Sequence, residues 1–419
     1  MHEGTSRKLS IRPLRDFLAT ESSGGVAVVA AALVAIAWAN SPWQAGYEQL
    51  WTTMLELRLG SWSLALDFRH WVNEALMAVF FLVVGLEIKR EIVEGELRDR
   101  RHRALPIYAA LGGMVLPALL YAAFNLGRPE IRGWGIPMAT DIALAVGVIA
   151  LVGSRVRPSL KLFLLALAIV DDIGAIVVIG VVYAGNVRWG WLLLAAGLIG
   201  ATRLVQERVD ALAVYLVLGT GLWLSLHQAG VHATLAGVAM GLLAPTKPRI
   251  HPELIDQAEL SNLTSAREVM STRSLARSAV SVVEWLEHRI HPWTSFLIVP
   301  LFALANAGIP LSSEALAGAA TAPVAWGIGV GLVVGKPLGI LAASGFAVRI
   351  GAAVLPTGVT WTGILGAGLI AGMGFTVSVF IAELALTPPS TQYAKIGILT
   401  ASLLAGVLGY IVLRRKTPA

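Results

Sequence analysis

"LKLFLLALAIVDDIGAIVVIGVVYA", residues 160–184, is an apolar run whose only charges are Lys161 near its start and the adjacent pair Asp171 and Asp172 in its middle. A run of this length spans bilayer hydrocarbon as a helix, and it puts two carboxylates where water is scarcest. Two further runs repeat the anomaly: "GIPMATDIALAVGVIALVG" (135–153) carries Asp141, and "VGLVVGKPLGILAAS" (330–344) carries Lys336. Each charge at bilayer depth costs roughly 2.5–3.5 kcal/mol, so the three aspartates and the lysine amount to about 10 kcal/mol if left unpaired. Packing alone gives no reason to keep such a burden. Acids grouped with a buried base suggest a path for protons or small cations.

The composition agrees with a membrane chain. Of 419 residues, 56% are hydrophobic and only 14% charged, and the mean hydropathy is +0.72; soluble chains carry about 25% charged residues. Reading for apolar runs gives twelve candidate spans near 24–40, 71–90, 104–126, 135–152, 159–183, 189–205, 211–226, 231–245, 292–308, 322–345, 361–384 and 394–413. Of the 32 Lys and Arg residues, 25 fall on one side of this arrangement and 5 on the other, which predicts cytoplasmic termini. The net charge of +6 therefore marks one membrane side and does not indicate nucleic acid. With no cysteine, disulfides, thiolate-bound metal and thiol catalysis are excluded. Arg7, Lys8, Arg12 and Arg15 precede an apolar stretch that ends in Ala37-Trp38-Ala39, a pattern a signal peptide also shows; the expectation is a retained first span after an interfacial segment over 1–20.

Two features stand outside the spans. "LRLGSWSLALDF" (57–68) alternates apolar and polar residues after Gly60-Ser61, which predicts a β-hairpin within 55–70 that packs on the membrane domain or on a second subunit; a loop with chance alternation is the plainer alternative. The long hydrophilic connection 246–290 contains "SLARSAVSVVEWLEHRIHPW" (274–293), which reads as an amphipathic helix running into the ninth span. Within the spans, Thr140-Asp141 follows Pro137 in the fourth run. Gly372-Met373-Gly374 interrupts the eleventh, where glycine weakens a helix or serves close packing. Paired interruptions in two halves of a transporter point to the binding site.

Neighbouring helical residues are about 100° apart, so Asp171 and Asp172 cannot share one small site. One of them can serve a water-filled cavity as cation ligand and proton acceptor. The other then turns toward a buried partner, and Lys336 is the basic candidate. Pro337 disfavours helical geometry at Lys336, so a bend is expected there. Asp141 suits the positive ends of interrupted helices, and Lys336 suits the negative ends; an aspartate merely capping a helix is the alternative. Carboxylates and carbonyls fit a hard cation, while the lack of a His or Cys cluster disfavours a transition metal. A buried carboxyl that holds either a proton or a cation, exposed alternately to two sides, performs antiport.

The segments "GLEIKRE" (85–91), "ATDIALAVGVIALVGSRVRP" (139–158), "ALAIVDDIGAI" (166–176), "GVHATLAGV" (230–238), "EHRIHPW" (287–293), "PLFALANAG" (300–308), "GKPLGI" (335–340) and "GMGFTVSVFIA" (372–382) together closely resemble the NhaA-type bacterial sodium/proton antiporters, in order and over nearly the whole chain. The resemblance implies an all-α polytopic fold of about twelve helices, with inverted-topology repeats and crossing broken fourth and eleventh helices. It implies pH-regulated exchange of Na+ or Li+ for H+ in the bacterial inner membrane. It further implies that Asp171 and Asp172 bind the cation and proton, that Lys336 pairs with Asp171, and that Thr140 and Asp141 mark the helix crossing. Glu87, Arg90, Glu91, Glu287, His288 and His291 would form a cytoplasmic pH-responsive funnel, and His232 would take part in the pH response or be a histidine bonded between helices. The hairpin resembles the family's dimer contact. Glu284 departs from the pattern where a basic residue is expected, which bears on the pH set point.

Other readings make less of the residues. An intramembrane aspartyl protease needs a Gly-x-Gly-Asp context that is missing here, a Walker motif for ATP is missing too, and a channel does not require a buried lysine. A sodium-coupled organic-solute symporter of related architecture is the alternative, and neither reading is an enzyme or needs a cofactor. Two adjacent titratable carboxyls, with a third charge change available at Lys336, predict more than one proton per exported cation.

Overall fold

The computed structural model describes residues 11–415 except 61, 94, 96–99, 186, 207–208, 210–211 and 247–280. The expected segment over 1–20 lies partly outside the described residues, and the connection 246–290 mostly so. Among the described residues, the regular structure is helical apart from one hairpin. Helices α1 (Ile11–Ala39), α2 (Gln44–Thr52) and α3 (Phe68–Val93) bracket strands β1 (Met54–Leu59) and β2 (Trp62–Asp67). Then come α4 (Arg100–Phe124), a 3-10 stretch Pro129–Met138, α5 (Ile142–Val152), α6 (Pro158–Val182), α7 (Trp189–Val205), α8 (Leu212–Ala229) and α9 (Leu235–Leu243). The remainder holds α10 (Val282–Trp293), α11 (Val299–Asn306), α12 (Ser313–Thr321), α13 (Pro323–Arg349), α14 (Trp361–Ala371), α15 (Phe375–Ala385) and α16 (Ser390–Arg415).

Among the described residues, six helices are long and apolar enough to cross a membrane. Three bent pairs also qualify: α1 from Ser23 with α2, bent by 115°, the 3-10 stretch with α5, by 41°, and α14 with α15, by 48°. The sequence reading places no helix at α2 or α12. It misses α2 because Tyr47 and Trp51 are its only buried residues, too few to make an apolar run. One large core joins most of the helices, while α7, α8 and the start of α9 share a smaller one around Ala195, Leu222 and Ala236. In α1, Val28, Ala32, Ala35 and Ala39 are buried at helical spacing, on the face that meets α5 and α11.

The most extensive packing joins α4 to α13. At their crossing, a Cβ on Gly339 would lie 2.1 Å from Gly112 O, and one on Gly112 would lie 2.2 Å from Gly339 O. Only glycine lets these backbones touch, and the contact sits one turn beyond Lys336.

Pro337 does not break α13. Lys336 keeps helical angles (φ −63°, ψ −53°), which corrects the expected bend. The proline ring would clash with the carbonyl four residues back and offers no N–H, and the helix accommodates it in a widened π turn over Gly331–Gly335, where Lys336 N–H bonds Gly331 O. The same device precedes Pro300: a π turn over Thr294–Ile298 closes with Val299 N–H on Thr294 O.

The hairpin pairs Met54 with Asp67 through Leu59 with Trp62 around a turn at Gly60, whose φ is +62°. Leu64 is buried and Leu66 and Phe68 half-buried, while Ser63 and Ala65 face out. On β1, Met54, Leu55 and Leu57 are all exposed. Between the last two helices, Lys395 of α16 lies 2.5 Å from Glu383 of α15.

Candidate cation site

Two interrupted stretches meet at the centre of the core. The first breaks at Ala139-Thr140-Asp141, between the 3-10 stretch and α5; the second breaks at Gly372-Met373-Gly374, between α14 and α15. Asp141 N–H donates to Met373 O at 2.6 Å, and Ser378 Oγ donates to Ile136 O at 2.8 Å, so the stretches are stitched together. Close approach also explains the glycines: a Cβ on Gly372 would lie 2.4 Å from Leu332 O, and one on Gly374 would lie 2.2 Å from Ser378 Oγ.

Four helix ends face one another here, and side chains answer each. Asp141 caps α5 by accepting from Leu144 N–H at 3.1 Å, and its other oxygen accepts from Thr376 N–H at 3.0 Å and Thr376 Oγ1 at 2.6 Å, at the start of α15. One carboxylate thus serves two positive ends, which is more than the simple cap allowed for as the alternative. Lys336 Nζ donates to Met138 O at the negative end of the 3-10 stretch. Thr140 Oγ1 lies 3.0 Å from Ala371 O at the end of α14.

The aspartates of α6 diverge. Asp171 is 1% exposed, and its Oδ2 lies 2.8 Å from Lys336 Nζ and 2.7 Å from Thr140 Oγ1. Its Oδ1 has no hydrogen-bond partner among the described residues, a costly state for a buried acceptor unless a proton or cation visits it. Asp172 lines a cavity of about 60 Å³, large enough for a few waters. Asp141, Glu87 and His291 also border that cavity, as do the hydroxyl residues Thr140, Thr294, Ser295 and Thr376. Thr376 stands within one of the family-like segments, but nothing in the sequence marks it, Thr294 or Ser295 as site residues. An isolated hydroxyl in an apolar run carries no signal until its neighbours in space are known.

Most of the residues expected to form the funnel lie where α3 meets α10. Arg90 Nη1 bonds Glu287 Oε1, and His291 Nε2 lies 3.8 Å from Glu87 Oε1. Glu91 is half-buried nearby on α3; His288 and Glu284 are exposed on α10. His232 is apart from them, its Nε2 bonded at 3.0 Å to Tyr183 O, which joins the turn before α9 to the end of α6.

Burial holds the Glu287 carboxyl above the ordinary glutamate range, opposed chiefly by the Arg90 guanidinium. Between the ordinary value, 4.5, and the raised one, the unfolded chain gives up this proton while the folded chain keeps it. The contribution of Glu287 to stability therefore falls as pH rises through that window. The expected outcome is that Glu287→Gln gains melting temperature relative to the native protein as pH rises from 4.5 through that window; a difference that stays flat with pH contradicts the burial effect.

Residues 15–413 match the sequence profile of the family described as Na+/H+ antiporter 1. The chain is 45% identical over 408 residues to Na(+)/H(+) antiporter NhaA 3 of Frankia alni, covering 96% of this chain and 88% of that one. It is 44% identical over 412 residues to Na(+)/H(+) antiporter NhaA of Cronobacter sakazakii, covering 97% and 98%. Identity to Na(+)/H(+) antiporter NhaA 2 of Syntrophotalea carbinolica is 42% over 427 residues, covering 97% of each.

Proposed function

The chain belongs to the Na+/H+ antiporter 1 family, and from that premise we propose that it is a secondary active, electrogenic antiporter that expels Na+ or Li+ against entering protons. The supporting observation is the division of labour on α6: Asp171 is tied to Lys336 while Asp172 opens onto the cavity. In the cycle, Asp172 holds the cation with help from Asp171, Thr140 and Asp141. Protons displace the cation when the site faces the acidic side, and the cation displaces protons on the other. Occupancy by one excludes the other, because both compete for the same carboxylate charge. Lys336 offsets the charge of Asp171 and Met138 O during the exchange, and the broken stretches move as two-state elements about a fixed crossing.

The arrangement goes with about twelve spans in inverted repeats, both termini cytoplasmic, in a bacterial inner membrane. Glu87, Arg90, Glu91, Glu287, His288, His291 and, at a distance, His232 tune the pH response, with Glu284 shifting the set point. A homodimer forms through the hairpin, whose exposed Met54, Leu55 and Leu57 supply the apolar contact; light scattering of a chain lacking 54–67 tests it. In proteoliposomes, Na+ is expected to dissipate a proton gradient at a rate that responds to an imposed membrane potential. Exchange indifferent to potential would refute the electrogenic stoichiometry.

A further inference from the structure

A hydroxyl has one proton and two lone pairs, and for the three threonines that line the Asp172 cavity that proton is already assigned. Thr376 Oγ1 donates to Asp141 Oδ2, and Thr140 has only one proton for Asp171 Oδ2 or Ala371 O. Thr294 Oγ1 donates to His291 O at 2.8 Å. All three residues line the Asp172 cavity, and what their oxygens have left to present is lone pairs. These three hydroxyls have no proton left for an anion, and their lone pairs suit a hard cation that needs oxygens beyond one carboxylate.

Thr294 differs from the other two. It is 3% exposed and bonds only a carbonyl of its own helix, so it takes no part in the crossing. A threonine bonded back to the carbonyl three residues earlier is often just local helix trim. Here, however, the residue opens the π turn that precedes Pro300, a distortion that re-aims side chains and frequently marks functional sites, and it borders the same cavity as Asp172. We propose that Thr294 is a neutral oxygen ligand of the transported cation and sets the preference between Na+ and Li+. This rests on the antiporter reading above. The smaller Li+ fills its shell with fewer oxygens, so losing one neutral ligand penalises Na+ more.

The test uses the full chain in proteoliposomes, with Na+ and Li+ as separate driving ions. Thr294→Val keeps the shape and removes the oxygen. It is expected to raise the Na+ half-saturation concentration about tenfold, as for loss of one polar contact to a charge, with the Li+ value rising less and the maximal rate staying within about twofold. Thr294→Ser is expected to restore the native Na+ value, and Thr294→Ala to behave as the valine variant. Native Na+ half-saturation in the valine or alanine variant overturns the proposal, as does an equal loss in the serine variant. If the native protein itself moves no protons in response to Na+, the antiporter reading fails instead.

Discussion

Asp172→Asn is expected to abolish sodium-driven proton exchange while leaving the protein folded. The amide matches the carboxyl in volume, so the cavity wall keeps its shape, but it offers a cation no formal charge and releases no proton when the cation arrives. Exchange should fall by at least about 100-fold, because both the ligand and the exchangeable proton disappear together. The melting temperature should hold or rise, since the substitution removes a buried charge at a site 6% exposed that bears no helix cap. Proton release on adding Na+ to the purified variant, read with a pH-sensitive dye, decides the matter. Release that persists at native amplitude would remove Asp172 from the site.

The second large effect falls on stability. Lys336 is fully buried, and it answers both Asp171 Oδ2 and Met138 O. Lys336→Ala strands the carboxylate with only the Thr140 hydroxyl and leaves a helix-end carbonyl without its donor. Removing one partner of a buried pair costs about 3–5 kcal/mol, which a thermal melt in detergent resolves readily. The double variant Asp171→Asn with Lys336→Ala should recover a large part of the loss, because no unpaired charge remains. A Lys336→Ala melting temperature equal to the native one would show that the pair contributes nothing to the fold.

These expectations lean unequally on sequence and structure. That Asp171 and Asp172 must differ in role follows from helical geometry, and the search for a buried base in apolar surroundings leads to Lys336. Asp141 next to a proline-led interruption, and the Gly372-Met373-Gly374 break, are legible as irregular backbone at membrane depth, where such backbone persists only if protein or a cavity surrounds it. The hairpin is legible because period-two alternation survives in a short stretch with a turn signal.

Other features depend on contacts that no local pattern encodes. Thr376 joins Asp141 across 235 positions of chain, and its value comes wholly from the start of α15 lying beside the start of α5. The π turns before Pro300 and Pro337 show a similar limit. Proline's lost donor is a local fact, but whether the backbone bends or widens depends on the packing around it, and at Lys336 the close α4–α13 contact favours an unbroken helix. His232 is equally ambiguous by itself; the carbonyl of Tyr183 gives it a bonding partner.

The sequence by itself determined the membrane class, the apolar runs, the acids and base that such surroundings penalise, and the family motifs, because hydropathy and charge are properties of single residues and short windows. The tertiary structure decided which oxygen meets which proton: Asp171 toward Lys336, Asp172 toward the cavity, Asp141 across two helix ends, Thr294 onto the same cavity. Those assignments are set by how broken stretches cross and how tightly glycine lets helices approach, and such distances exist only once segments remote in the chain have packed together.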